Sequence, residues 1–289
     1  MRTEITTVIY HRADFDGIFC KEIARNWLGD NINYIGLNHG DAKVPMTDGE
    51  VYILDLNPDC LDYTDKDLAN VIWIDHHKSA IDKYQDLGCR KYVIDGVAAC
   101  RLAWQWFSGR FPDKEAYINR KVKEPLAVRL AGEYDVWDKR DPYTDPFQYG
   151  LRVYEPDFAR LLSETSTQYT LDLVTSGAQV QSYTNKVNAG LCKYNTWVME
   201  FEGLKFLCAN TAGGNSLFFA ERDKPETGHD ALMKFNWQEK GWCFSLYHSA
   251  HRKDLDLSVI ALKYGGGGHR GACGFACAEL PFKLERKTV

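Results

Sequence analysis

Residues 71–77 read Val-Ile-Trp-Ile-Asp-His-His, and this stretch decides the fold. Its first four residues are β-branched or aromatic, which is typical of a buried strand. A carboxylate and two imidazoles follow at once. In open α/β sheets, ligands bind at the carboxyl edge of the strands. The stretch therefore predicts a strand that delivers Asp75, His76 and His77 to a binding edge.

Two other apolar runs end in the same way. Residues 5–10 continue into His11, Asp14 and Asp16, and residues 51–54 continue into Asp55. Side chains alternate along an extended chain, so Asp14 and Asp16 share one side and repel each other unless cations neutralise them. Each residue alone has a simpler explanation, since Asp14 could cap a helix and Asp55 could belong to a turn. Together the three runs favour a cation site.

Strand-like and helix-like segments alternate through the first half of the chain. Strands are predicted at 4–10, 32–37, 51–55, 71–75 and 90–94, and helices at 17–28, 61–70, 97–108 and 115–132. This alternation predicts a mostly parallel sheet covered by helices. Residues 141–157 are rich in Pro, Tyr and Asp and are expected to be irregular. Residues 158–195 have a helical, rather polar pattern.

The second half is richer in short strands. They are predicted at 197–201, 205–209, 230–236, 242–247 and 272–277, with a helix signal after residues 213–216. The predicted fold class is α/β: an N-terminal, mostly parallel sheet flanked by helices, and a smaller C-terminal α/β domain. The expected division is a catalytic domain at 1–165, a helical connector at 166–195 and a substrate-binding domain at 196–289. An active-site cleft is expected between the lobes.

Composition narrows the class of protein. The chain has 289 residues and a net charge of −5, which argues against a broad nucleic-acid-coating surface but allows a short oligonucleotide. No apolar run approaches the roughly 18 to 20 residues of a membrane span. The residues after Met1 lead into a strand-like run without the pattern of a secretory signal. We therefore expect a cytoplasmic protein with no membrane partner.

Nine cysteines are present, and no Cys-x-x-Cys occurs. The favoured interpretation is free thiols in a reducing compartment. A zinc site on Cys273 and Cys277 is an alternative, but their spacing is unusual and no second pair stands nearby.

Four glycines at 265–268 precede His269 and Arg270. Glycines let the backbone approach an anion with its N–H groups, and the two cationic side chains would add donors. A flexible linker is the simpler alternative. The run lacks the Gly-Lys-Ser/Thr ending of a P-loop, so a nucleoside triphosphatase is disfavoured.

In order and spacing, these motifs resemble those of the DHH phosphoesterase superfamily. The matching pieces are His11-x-x-Asp14-x-Asp16-Gly17, Asp55, Asp75-His76-His77, Tyr134-Asp135-x-Trp137 and the C-terminal Gly-Gly-Gly-His run with Arg270. The resemblance covers nearly the whole chain. It is strongest to the phosphodiesterases of short oligonucleotides, the nano-RNases, and more distant to RecJ-type exonucleases. One departure is His248, where many relatives have Arg; Arg252 is a candidate substitute.

The resemblance implies two divalent metal ions, with Mn²⁺ expected and Mg²⁺ or Co²⁺ as alternatives. One ion would be bound by His11, Asp14 and Asp55. The other would be bound by Asp16, Asp55, His76 and Asp135, with an activated hydroxide attacking phosphorus. His77 would face the scissile phosphate, and Asp75 would orient an imidazole. The substrate-binding candidates are Arg101, Gly266, Gly267, Gly268, His269 and Arg270.

The expected function is hydrolysis of short RNA or single-stranded DNA to nucleoside monophosphates by a metal-dependent phosphodiesterase or exonuclease. The partner would be a short single-stranded oligonucleotide or a dinucleotide, with a homodimer as an open possibility. Two alternatives share the same metal core: a phosphomonoesterase or pyrophosphatase, and a cyclic-dinucleotide phosphodiesterase. An alternative from another class is a non-catalytic nucleotide sensor, which the intact set of metal-ligand candidates disfavours.

Overall fold

A computed structural model of the chain describes residues 5–64, 67–163, 167–239 and 241–283. The chain forms two compact units, Met1–Gln181 and Ser182–Val289. The division falls within the helix Thr167–Asn195. The predicted domain boundary at residue 165 lies outside the described residues, as does the predicted start of the first strand at residue 4. The expected three-part division stays a prediction.

Short parallel strands build the N-terminal unit. They are β1 (Thr7–His11), β2 (Asn33–Leu37), β3 (Val44–Pro45), β4 (Val51–Leu54), β5 (Leu61–Asp62), β6 (Asp67–Asp75) and β7 (Gly88–Val93). The main sheet has five strands in the order β2-β1-β4-β6-β7, and all its neighbours pair in parallel. Strands β3 and β5 form a separate two-stranded sheet. The predicted parallel sheet is confirmed.

Both faces of the main sheet are covered, which explains its continuous apolar runs. Along β6, Ile72 and Ile74 join one core cluster, while Val71 and Trp73 join another on the opposite face. All four residues are fully buried. Because successive side chains point to opposite faces, one strand supplies both cores.

Helices pack against this sheet and continue the chain. They are α1 (Phe15–Leu28), α2 (Lys78–Lys83), α3 (Ala99–Phe107), α4 (Lys114–Ile118), α5 (Leu126–Asp135), α6 (Thr144–Val153), α7 (Phe158–Leu162) and α8 (Thr167–Asn195). None of the described helices is both long and apolar enough to cross a membrane. The single helix predicted at 115–132 is divided into α4 and α5. Helix α4 ends just before Arg120, whose φ angle is +53°, and Pro125 then disfavours helical backbone in the residue before it.

Two local predictions were wrong. Residues 141–157 were expected to be irregular, yet they contain α6, whose Phe147 and Leu151 are buried in the core. Its Pro146 lies in the first turn, where a missing N–H costs little. Residues 61–70 were expected to be helical, but β5 and the start of β6 lie there. Pairing of β6 with β7 outweighs the local helical pattern.

A six-stranded sheet dominates the C-terminal unit. Its strands are β8 (Thr196–Phe201), β9 (Leu204–Asn210), β10 (Ala231–Gln238), β11 (Gly241–His248), β12 (Gly267–His269) and β13 (Ala272–Cys277), with helix α9 (Ser258–Lys263). The order is β12-β13-β11-β10-β9-β8. Only β9 and β10 pair in parallel among these described strands. The predicted C-terminal α/β domain is confirmed, and the glycine run is partly a strand rather than a linker.

Candidate metal centre

The sheet order places a topological reversal between β1 and β4. From β1 the chain moves to β2 on one side and later returns to β4 on the other. Binding crevices in open α/β sheets form beyond the carboxyl ends of the strands at such a point. Here β1 ends with His11, and Asp55 directly follows β4. The Nδ1 atom of His11 lies 3.5 Å from Oδ2 of Asp55.

Asp55 is held in an unusual backbone conformation. Its φ angle is +56°, in the left-handed region that favours glycine, and the residue is almost fully buried. Its N–H donates to the carbonyl of Ile74 at 3.0 Å. Its two carboxylate oxygens approach different imidazoles, because Oδ1 lies 3.4 Å from Nε2 of His76 while Oδ2 faces His11. Strain of this kind concentrates at functional sites, and here it places one carboxylate between two histidines.

The first group of candidate ligands is His11, Asp14 and Asp55. Oδ2 of Asp14 lies 2.9 Å from Nδ1 of His11. Its other oxygen accepts the N–H of Gly17 at 3.1 Å and thereby caps α1. A Cβ atom on Gly17 would stand 1.9 Å from the carbonyl oxygen of His11, so only glycine fits there. Asp14 therefore caps the helix and faces the cluster at once.

The second group is Asp16, His76 and Asp135. Nε2 of His76 lies 3.2 Å from Oδ2 of Asp135 and 3.6 Å from Oδ2 of Asp16. The carboxylate of Asp16 also accepts the N–H groups of Ala99 and Cys100, both at 2.8 Å. The start of α3 thus supplies two donors and a favourable dipole to a buried acid.

Asp75 fixes the orientation of His77. Its Oδ1 atom lies 2.7 Å from Nδ1 of His77 and accepts the backbone N–H of His76 at 2.7 Å. An imidazole that donates Nδ1–H to a carboxylate directs Nε2 away from it. The side chain of Asp75 is fully buried, whereas that of His77 is 28% exposed. His77 is therefore the accessible member of this pair.

The cluster holds more carboxylates than its surroundings can keep negatively charged. Burial, with the charges of Asp55 and Asp135, raises the pKa of Asp16 well above its usual range. Burial also raises the pKa of Asp135 to about 6, although His76 opposes this shift. Burial lowers the pKa of His11, but contacts with Asp14 and Asp55 outweigh it and raise that pKa to about 10. The buried carboxylates thus favour positive charge within the cluster, whether it comes from protons or from a cation.

The residues present fit divalent metal ions. Within each group the ligand atoms all lie within 4.8 Å of one another. Nδ1 of His11 and Oδ1 of Asp55 are buried and have no hydrogen-bond partner, although each has an ion-pair contact. Carboxylate oxygens and imidazole nitrogens suit Mn²⁺ and, where oxygen dominates, Mg²⁺. Binding of a cation would displace protons from the imidazoles.

One residue at this edge was missed by the sequence analysis. The ring of His39, in the loop after β2, lies 5.1 Å from the ring of His11 and 5.9 Å from that of His77. It also lines a pocket of about 430 Å³ together with residues 56 and 57, which follow β4. The sequence could have indicated His39 as a candidate, because it lies shortly after another strand predicted for the same parallel sheet.

Two residues considered from the sequence are engaged by partners outside the two groups of candidate ligands. Asp138 is paired with Arg140, with 2.6 Å between Oδ2 and Nη2. The guanidinium of Arg101 is almost fully buried and donates to Glu124, with a distance of 3.0 Å from Nε to Oε1. Arg101 as a substrate-binding residue stays a prediction, and its buried ion pair disfavours it.

The remaining substrate-binding candidates lie in the C-terminal unit. His269 and Arg270 are exposed, and the Arg270 side chain donates to the carbonyl of Leu255 at 3.1 Å. Nε2 of His248 lies 2.8 Å from the same carbonyl oxygen. Arg252, the candidate substitute for the missing arginine, is paired with Asp230 at 2.6 Å. These side chains fix the loop before α9.

Two of the buried cysteines have thiols with raised pKa values. Burial, with the charge of Asp16, raises the pKa of both Cys20 and Cys100 well above the usual range. Among the described residues, no group with metal-ligand spacing includes a cysteine, so the zinc alternative on Cys273 and Cys277 lacks support. A further group with such spacing, Asp223, His229 and His251, is joined by hydrogen bonds in the C-terminal unit.

Comparison with known proteins gives one distant relative by sequence. No protein-family profile matches the chain. An uncharacterised protein of Acanthamoeba polyphaga mimivirus is 27% identical over 228 residues, which covers 73% of this chain and 50% of that protein. The chain therefore spans about half the length of this curated relative.

Solved structures show the fold. The chain is similar to the DHH domain of a member of a ribosomal protein family, with a TM-score of 0.52, 13% identity, and 94% and 82% of the two chains covered. A pGpG-specific phosphodiesterase from Vibrio cholerae has a TM-score of 0.48, 14% identity, and 94% and 92% coverage. RecJ from Thermus thermophilus with Mn²⁺ has a TM-score of 0.48, 16% identity, and 95% and 50% coverage. The resemblance to DHH proteins is confirmed at the level of fold.

Proposed function

We propose that this protein is a metal-dependent phosphodiesterase that hydrolyses short single-stranded oligonucleotides to nucleoside monophosphates. The observation that carries the proposal is the convergence of side chains from several separate segments on one sheet edge. They are His11, Asp14, Asp16, Asp55, His76 and Asp135. Within the described part of the chain, none of these carboxylates is paired with Lys or Arg. Packing alone does not explain why so many acids gather there, whereas binding of a cation would.

In this proposal one ion would be held by His11, Asp14 and Asp55, and a second by Asp16, His76 and Asp135. Asp55 would serve both, because its two oxygens face a histidine of each group. When bound, the ions would polarise the phosphoryl group and make water a nucleophile near neutral pH. The N–H groups at the start of α3 hold Asp16 in place for this role.

His77 contributes a donor beside the metal ligands. Burial lowers the pKa of His77, but its contact with Asp75 outweighs this effect and raises the pKa. With Nδ1 held by Asp75, the Nε2 atom of His77 is directed elsewhere. A donor in that position would stabilise negative charge on a phosphoryl oxygen as it develops. Asp75 acts through His77 and is a positioning residue.

The segment of residues 266–270 would bind a phosphate of the oligonucleotide. In support, a Cβ atom on Gly267 would meet nothing within 4 Å, so this part of the backbone is open to a ligand. The exposed side chain of Arg270 brings a positive charge to the same segment, and that of His269 brings a ring nitrogen donor. A cytoplasmic location and a homodimer stay predictions.

The test is hydrolysis of an end-labelled dinucleotide and of a series of longer single strands, in RNA and DNA, by the purified protein with Mn²⁺. We expect nucleoside monophosphates, and no product with EDTA. The same assay includes a nucleoside bisphosphate, pyrophosphate and a cyclic dinucleotide, since the same metal core could act on them. Cleavage of only these compounds would replace the proposal, and no cleavage of any substrate would refute it.

A further inference from the structure

An exposed tryptophan lies just past the end of α5. Trp137 lies two residues after Asp135, and 45% of it is exposed. Its φ angle is +59°, which places a bulky residue in the left-handed region. For a large side chain this conformation is a genuine outlier. Both the exposure and the backbone conformation require an explanation.

The backbone here forms a Schellman motif. The N–H of Asp138 donates to the carbonyl of Glu133 at 2.7 Å, and the N–H of Trp137 donates to the carbonyl of Tyr134 at 3.0 Å. This is the pair of bonds by which helices end on a left-handed residue, and that residue is usually glycine. Ending the helix would therefore be easier with glycine at position 137. The indole is retained at a conformational cost.

The surroundings of the indole hold it in place without covering it. The Nζ atom of Lys139 lies 3.9 Å from the ring centroid of Trp137 and 3.8 Å from that of Tyr134. Lys139 is in turn bound to Asp145 at 2.5 Å. The two rings lie 5.8 Å apart, edge to face. One face of the indole therefore meets an ammonium group, and much of the rest stays accessible.

A purely structural role does not account for this arrangement. Trp27 is another exposed tryptophan in this unit, and its ring packs 4.8 Å from that of Trp104 and 5.9 Å from that of Phe107. Trp137 also contacts a ring, that of Tyr134, but unlike Trp27 it holds its exposed indole on a left-handed backbone. Observed strain that is held by surrounding hydrogen bonds points to function.

We propose that Trp137, supported by Tyr134 and Lys139, is a stacking platform for a nucleobase of the substrate, next to the metal ligand Asp135. The inference rests on the proposed function and names how its substrate is held. Bases of any sequence stack on aromatic rings, and a nearby cation strengthens binding of a single strand. The platform would give affinity for nucleotides without selecting a sequence.

The experiment compares two ligands that share a phosphate but differ in the base. Calorimetry on the manganese-loaded protein measures binding of adenosine 5′-monophosphate and of ribose 5-phosphate. We expect the native protein to prefer the nucleotide. Trp137→Gly should weaken nucleotide binding by about 5- to 100-fold and leave ribose 5-phosphate binding within about twofold. Trp137→Tyr should restore most of the preference.

Stability separates stacking from a structural role. Glycine suits the left-handed backbone, so Trp137→Gly should melt at the native temperature or above it. Trp27→Ala, the control for loss of an exposed indole, should melt lower and keep the preference for the nucleotide. The proposal is overturned if Trp137→Gly keeps that preference, weakens both ligands equally or melts well below the native protein. If the native protein also fails to hydrolyse the dinucleotide, the proposed function falls as well; continued hydrolysis removes only the platform.

Discussion

The Nδ1 atom of His77 lies 2.7 Å from Oδ1 of Asp75, a fully buried carboxylate at the end of β6. The two residues are separated in sequence only by His76, whose backbone N–H also donates to Oδ1 of Asp75. The carboxylate therefore holds both the turn and the imidazole. Removing the charge of Asp75 should therefore change the orientation of the His77 imidazole more than the backbone turn.

We predict that Asp75→Asn lowers kcat for the dinucleotide by about 10- to 100-fold, as for other groups that orient a functional histidine. Manganese content should stay near the native value, because the proposed metal ligands remain. Steady-state kinetics and elemental analysis measure the two quantities. Asp82→Asn, on the exposed surface of α2, is the control. Loss of metal in Asp75→Asn would show that Asp75 acts on the ions rather than on His77.

Asp55→Asn should weaken both proposed metal sites, because Asp55 belongs to the first group of candidate ligands and also contacts His76 of the second. We expect activity to fall by at least about 100-fold. Added Mn²⁺ should raise the melting temperature of the native protein strongly and that of the variant only slightly, since a bound ion stabilises by about 2.7 kcal/mol at 100 times its Kd. Thermal melting and manganese titration measure this. Asp59→Asn, a nearby surface change, should behave like the native protein.

Two neighbouring glycines of the run at 265–268 allow the roles of packing and ligand binding to be tested separately. A Cβ atom on Gly266 would lie 2.1 Å from the carbonyl oxygen of Gly274, whereas one on Gly267 would meet nothing within 4 Å. Gly266→Ala should therefore cost about 1 to 3 kcal/mol of the free energy of unfolding. Gly267→Ala should change it by less than about 0.5 kcal/mol. Urea unfolding measures both.

Kinetics of Gly267→Ala then test the phosphate role of this segment. A methyl group on the open side should raise KM for the dinucleotide while stability stays native. An unchanged KM in this variant would remove residues 266–270 from the proposed substrate site.

Acid should destabilise the C-terminal unit through Asp223. Its carboxylate accepts hydrogen bonds from Ser249 at 2.5 Å and from the N–H of Ala250 at 2.9 Å, and lies 2.9 Å from Nε2 of His229. Burial alone would raise the pKa of Asp223, but these contacts outweigh it and lower that pKa. The stabilisation is therefore present above the unfolded pKa of about 3.9 and is lost as pH falls through the lower folded value.

Asp223→Asn should accordingly cost about 1 to 3 kcal/mol at neutral pH. As pH falls from about 4 through the lower folded pKa of Asp223, the native and variant unfolding curves should converge, because the carboxyl is protonated first in the unfolded chain and then in the folded protein. Urea unfolding at a series of pH values measures the difference. Asp254→Asn removes an exposed partner of Arg252 and should have little effect. A constant difference down to about pH 2 would contradict the charge-based explanation.

Much of this cluster of candidate ligands could be predicted, because each short apolar strand has a clear end in the sequence. His11, Asp55, Asp75 and His76 each lie at or just past the end of a buried run, and parallel pairing brings those ends to one edge. Asp135 is different, since it lies at the end of a helix. Its place in the cluster followed from the resemblance, not from any local pattern.

What could not be predicted depends on contacts distant in sequence. The N–H groups of Ala99 and Cys100 reach Asp16 from more than 80 residues away. His39 approaches His11 only because β2 pairs beside β1. The helix α6 was missed because its polar and Pro-rich sequence hides two core residues. In each case tertiary packing decides, and local propensity does not.

Two buried thiols bear on which ions the candidate centre would select. Burial, together with the charge of Asp16, raises the pKa of Cys20 and Cys100 well above the usual range. Among the described residues, no group of side chains with metal-ligand spacing includes a cysteine, so the candidate centre offers oxygen and nitrogen donors. Such a donor set favours Mg²⁺ and Mn²⁺ over thiophilic ions such as cadmium and copper(I).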